Sequence, residues 1–119
     1  MLDQSSTSVT DADTFHGDVV VSDRAAVITI VGELDIFTAS KLEHLIGAAE
    51  LAGALDVTVN ARGVTFIDCR GFRVLMAHAR ALAPQGGRLR VDQPSPQVVR
   101  VLALMERLGA NRSVEWTGS

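Results

Sequence analysis

Apolar residues in this chain alternate between short β-branched runs and stripes at helical spacing. Val19-Val20-Val21 predicts a short first strand, followed by a turn at Asp23-Arg24. Ala26 to Val31 is a nearly continuous apolar run, the pattern of a strand covered on both faces. Leu42, Leu45, Ile46 and Ala49 then recur as one face of a helix from Ala39 to about Ala52, stopped by Gly53. Val57-Thr58-Val59 predicts a second central strand. Phe72, Leu75, Met76 and Ala79 mark a helix that opens at Asp68 and breaks at Pro84-Gln85-Gly86-Gly87. Leu89-Arg90-Val91 is a brief strand. Ser95-Pro96 pairs an N-cap with proline at the first helical position; Val98, Val101, Leu102, Met105 and Leu108 form that helix's buried stripe, and Gly109 ends it. Val114-Glu115-Trp116 closes the chain as an edge strand.

The predicted order is therefore β-β-α-β-α-β-α-β. It implies an α/β fold: a small sheet of about four to five strands, mostly parallel or mixed, with three main helices packed against it. Residues 1–14 are polar, acidic and without periodicity, as a flexible tail would be, leaving residues 15–119 as a single domain. Strands joined by single helices run parallel, and their following turns gather at one end of the sheet. Glu33, Asp35, Thr38, Asp68 and Cys69 are expected on that one rim.

Composition narrows the function. With 119 residues, 47% hydrophobic and 21% charged, the chain fits one globular domain with its own core. Net charge is −3, and Asp3, Asp11, Asp13 and Asp18 supply the acid of the first eighteen residues. The near-neutral remainder is poor footing for nucleic acid. No stretch reaches the roughly 18 apolar residues of a membrane span, and the start lacks signal-peptide character. One cysteine excludes an internal disulfide. The expectation is a cytoplasmic protein with no membrane insertion and no cofactor.

The candidate chemistry lies in two strand-to-helix turns. In the first, Gly32-Glu33-Leu34-Asp35 ends a strand with two carboxylates, and Thr38 is a good N-cap, with Ser40 and Glu43 fitting an alternative capping box. In the second, Val64-Thr65-Phe66-Ile67 leads to Asp68 as a cap and to Cys69-Arg70-Gly71-Phe72 in the first turn. The lone thiol thus sits where unpaired backbone N–H groups and the helix dipole converge, a candidate nucleophile. A nucleophile needs a base, and the three histidines, His16, His44 and His78, lie off the rim, His78 roughly 13 Å along the helix from Cys69. One Cys and three scattered His make no zinc spacing, and Glu33 with Asp35 reads as one solvated and one capping carboxylate, so no metal is expected. An enzyme is not indicated. Cys69 is then either inert packing or a working thiol. Arg70 and Arg73 oppose the helix dipole; Arg70 either pairs locally with Asp68 or Asp35, or meets an acidic surface of a partner.

Taken together, Gly32-Glu33-Leu34-Asp35 with Thr38-Ala39, Val64 to Asp68 with Gly71-Phe72, Gly86-Gly87-Arg88-Leu89, and Ser95-Pro96 through Leu108-Gly109 resemble STAS domains. The resemblance runs from about Val19 to Trp116 and is closest to bacterial anti-sigma-factor antagonists. It implies a STAS-like sheet flanked by helices, in line with the element order, and a regulatory role in stress response by partner switching. In such proteins the second turn reads Asp-Ser-Ser-Gly-Leu, and its first serine is phosphorylated by an anti-sigma factor that is a serine kinase of the histidine-kinase-like ATPase superfamily. Unphosphorylated antagonist binds that kinase and frees a sigma factor; phosphate ejects it. Carried across, Asp68 and Gly71 keep the pattern, Cys69 stands at the phosphorylated serine, and Arg70 replaces the second serine. The resemblance then implies partner binding through Glu33, Asp35, Thr38, Asp68, Cys69, Arg70, Gly71 and Arg73, with Thr38 and Thr65 as alternative phosphosites. The switch at Cys69 is either absent or redox-modulated. A second copy of the chain is a further candidate partner. The alternative is a non-switching STAS subunit of a transporter ATPase or of a stress-sensing scaffold.

Overall fold

In a computed structural model of the chain, residues 4–11, 14–111 and 113–117 are described. They form β1 (Gln4–Asp11), β2 (Phe15–Ser22), β3 (Ala25–Leu34), α1 (Ala39–Leu51), β4 (Asp56–Ile67), α2 (Cys69–Leu82), β5 (Arg88–Asp92), α3 (Pro96–Arg107) and β6 (Glu115–Trp116), with a 3-10 turn at Ala83–Gln85. The sheet has six strands in sequence order, antiparallel from β1 to β3 and parallel from β3 to β6.

That is one strand more than the expected four to five. The extra strand is β1, which occupies most of the segment expected as a flexible tail; residues 1–3, 12 and 13 of that segment lie outside the described residues. Its sequence has no apolar alternation to announce it. It is held by main-chain pairing with β2, from Gln4 opposite Ser22 to Asp11 opposite Phe15.

Each of the three crossovers from β3 to β6 steps to the next strand in the same direction. Right-handed crossovers taken in one direction put α1, α2 and α3 on one face of the sheet. Burial follows: Phe15, Val19 and Val21 of β2, Ala26, Ile28 and Ile30 of β3, and Val57 and Val59 of β4 all enter a single core. It is completed by Leu42, Leu45, Ile46 and Ala49 of α1, Phe72, Leu75, Ala79 and Leu82 of α2, and Val98 and Leu102 of α3. Among the described residues the opposite face has no helix. The expectation that Ala26–Val31 is covered on both sides is therefore wrong: Val27 and Val31 are 49% and 50% exposed. Leu108, expected in the buried stripe of α3, falls at the helix C-cap and is exposed.

Candidate functional site

Parallel pairing of β3 with β4 brings the two strand-to-helix turns side by side. Glu33 is opposite Phe66 and Leu34 opposite Ile67, so both chains leave the sheet at the same level. Glycine allows the approach at two points. Gly32 has φ +113, and a Cβ there would lie 2.1 Å from the Thr14 carbonyl oxygen, which accepts a hydrogen bond from Glu33 N–H at 2.9 Å. A Cβ at Gly71 would lie 3.0 Å from the Leu34 oxygen, the same atom that accepts from Asp68 N–H at 3.0 Å. The first turn of α2 is thereby fastened to the end of β3.

The β3–α1 turn satisfies itself. Asp35 Oδ1 accepts from the N–H groups of Phe37 (2.8 Å) and Thr38 (3.1 Å). Thr38 Oγ1 accepts from Asp35 N–H (3.0 Å) and donates to the Glu33 carbonyl (2.6 Å). Thr38 stands at the N-cap as expected, yet its hydroxyl serves this turn and accepts from no N–H of the helix. At 2% exposure it is closed to a partner or a kinase. What the turn presents outward is Glu33 and two apolar residues, Ile36 and Phe37, which are 53% and 79% exposed.

In the β4–α2 turn, Asp68 Oδ1 accepts from Arg70 N–H (2.9 Å) and Gly71 N–H (3.1 Å). A cap of this kind is worth about 1 kcal/mol. It places Cys69 at the first helical position, exposed, with Phe66 beside it on the rim at 48% exposure. Exposure removes one of the two roles left open for the thiol: it fills no core space. Arg70 does not pair with Asp68 or Asp35. Among the described residues neither Arg70 nor Arg73 makes an ion pair, although both are exposed on the first two turns of α2. Gly71 is buried and shapes the turn from beneath.

One side chain plays a part that its sequence position did not suggest. His78 is 9% exposed on α2, and its ring nitrogens face two carboxylates of α1: Nδ1 lies 2.7 Å from Glu50 Oε2, and Nε2 lies 2.5 Å from Glu43 Oε2. These two contacts tie α1 to α2. The available signal was Glu43 and Glu50, seven residues apart and so on one side of α1. Among the described residues no three His, Cys, Asp or Glu side chains gather to hold a metal ion, and no helix is long and apolar enough to cross a membrane.

A sequence profile of the STAS domain matches residues 17–118. The chain belongs to the STAS-domain family. Sequence relatives of this STAS domain include the anti-sigma-B factor antagonist of Bacillus subtilis (strain 168), 29% identical over 85 residues that make up 71% of this chain and 76% of that protein. Among solved structures, an anti-sigma factor antagonist from Mycobacterium paratuberculosis superposes with a TM-score of 0.68 at 22% identity, covering 90% of each chain. The anti-sigma factor antagonist SpoIIAA in its unphosphorylated form gives 0.67 at 22% identity, covering 87% of this chain and 89% of that one. These superpositions, both at 22% identity, establish the STAS fold alone.

Proposed function

We propose that this STAS domain is an anti-sigma-factor antagonist, a binding protein rather than an enzyme, acting in the cytoplasm. Its partner is an anti-sigma factor with serine-kinase activity of the histidine-kinase-like ATPase superfamily, and docking on it frees a sigma factor. The observation that carries this is the rim itself: an exposed Cys69 on a capped helix start, at the same end of the sheet as exposed Ile36, Phe37 and Phe66, on a fold shared with antagonists. Monomeric proteins seldom cluster bulky apolar side chains at a surface without a partner for them.

Cys69 sets the regulation. A phosphate on a docking face adds nearly two negative charges and considerable bulk. Cys69 has no hydroxyl to take it, and the thiol is close enough to serine in size to leave docking intact. The protein is then held in its binding-competent form against kinase and ATP. Of the two alternative phosphosites, Thr65 is exposed and Thr38 is not. Exchange of the exposed thiol with glutathione disulfide, which forms a mixed disulfide at Cys69 and releases one glutathione thiol, would set bulk and charge at the same place, giving redox control in place of phosphate. With one cysteine, oxidation ends in a mixed disulfide or in a linked pair of chains.

Affinity capture of the tagged protein from its native cells under reducing conditions tests the reading. A histidine-kinase-like ATPase is expected as the dominant companion. A transporter ATPase or a large sensory scaffold in its place would leave the fold and remove the antagonist.

A further inference from the structure

We propose that the groove between the N-terminal halves of α1 and α2 receives an aspartate- or glutamate-bearing segment of the anti-sigma partner, held by Arg70 and Arg73. This rests on the antagonist reading and adds the chemistry of the contact. The groove has a volume of about 480 Å³, and α2 lines it with Arg70, Arg73, Val74 and Ala77. Spaced three apart on one helix, they address the same space. Neither guanidinium is paired among the described residues, in a chain whose net charge is −3. Glu43 is the acid that lines the groove, and its Oε2 is taken by His78 Nε2 at 2.5 Å. The internal carboxylate is thus turned toward the imidazole, and the cations remain open to an external one.

Placement in the helix points the same way. The first turn of α2 contains no acid and carries a cation against the positive end of the dipole. Local stability favours the opposite charge there. Forked guanidinium donors match a carboxylate in two-bond geometry, a reason to keep arginine at that cost. Arg70 directly follows Cys69, so a segment in the groove continues onto the docking rim.

The test uses the whole protein and the double variant Arg70→Glu/Arg73→Glu, compared with the wild type at a temperature where thermal unfolding shows both fully folded. In nitrogen-15 spectra, hexaglutamate is expected to move the amides of Arg70, Arg73, Val74 and Ala77 in the wild type and not in the variant; hexalysine should leave them in place. With the ATPase purified after capture, the variant is expected to associate about tenfold more slowly at low salt, the gap closing near about 0.5 M salt. Unmoved amides, or equal association rates, overturn the groove assignment, and equal rates leave the antagonist reading standing. Moved amides with no such ATPase among captured proteins support the acid-binding groove and remove the antagonist reading.

Discussion

The two ends of the parallel sheet are built from the same parts and treat them differently. Where β3, β4 and β5 begin, backbone polar groups are spent on one another, while Asp56 Oδ1 is buried without a hydrogen bond among the described residues. The N–H groups of Leu55 and Asp56 both donate to the Arg24 carbonyl, and Arg88 N–H donates to that of Leu55. The Arg88 guanidinium lies 3.6 Å from Asp56 and 3.8 Å from Glu115. A cleft of about 680 Å³ opens there, larger than the groove at the other end. Where β3 and β4 finish, the backbone is just as well satisfied, but the side chains are not: Ile36, Phe37 and Phe66 face solvent, Cys69 is exposed, and Arg70 and Arg73 are unpaired among the described residues. The smaller concavity thus lies at the end where these side chains are left without partners. Leu51, exposed at the last turn of α1, is a lone apolar residue of the ordinary kind.

Glycine substitutions break the comparison hardest. A Cβ at Gly87 would lie 2.4 Å from the Leu55 carbonyl oxygen, so Gly87→Val is expected to lower stability by about 3 kcal/mol in urea unfolding. The fraction still folded should bind partner as before. Gly71→Val is expected to cost about 2 kcal/mol, since its nearest atom is 3.0 Å away, and to lose partner binding as well. Equal binding by the two variants would deny the ends their different roles. Next in size, Asp68→Ala removes the cap of α2, with about 1 kcal/mol lost. It should weaken binding beyond the loss of folded protein, because Cys69 and Arg70 are placed by that cap. Smallest in stability is a surface pair, Phe37→Asp at the rim and Arg88→Ala at the base, each within about 0.5 kcal/mol of wild type. Calorimetric titration should show at least about a tenfold weaker complex for Phe37→Asp and none of that for Arg88→Ala.

Periodicity made much of this architecture legible. The buried faces of α1 and α2, the cap at Asp68, the start of α3 at Ser95 and the gathering of two turns on one rim all follow from spacing and local chemistry. The edge strand β1 was hidden because its serines carry no strand preference, its threonines offer no apolar face, and its pairing is made by the backbone. The open face of β3 was hidden by Val27 and Val31, which look buried in a run of valines and isoleucines. Crossover direction, a property of strand order, reveals it. On the rim, residue type marks Cys69 and Arg70, whereas nothing in their type marks Ile36 and Phe37. Two bulky apolar residues between a self-capping Asp35 and a buried Thr38 have no room to turn inward, and this was the signal to use.

The most direct measurement follows the complex between this STAS domain and the proposed anti-sigma kinase after ATP is added, for the wild type and for Cys69→Ser. The wild type should stay bound and gain no phosphate, while the serine variant gains one phosphate at position 69 and dissociates. A wild-type complex that takes up phosphate, at Thr65 or elsewhere, and falls apart would contradict a switch removed by cysteine. A serine variant that stays bound and unphosphorylated would contradict the assignment of the site itself.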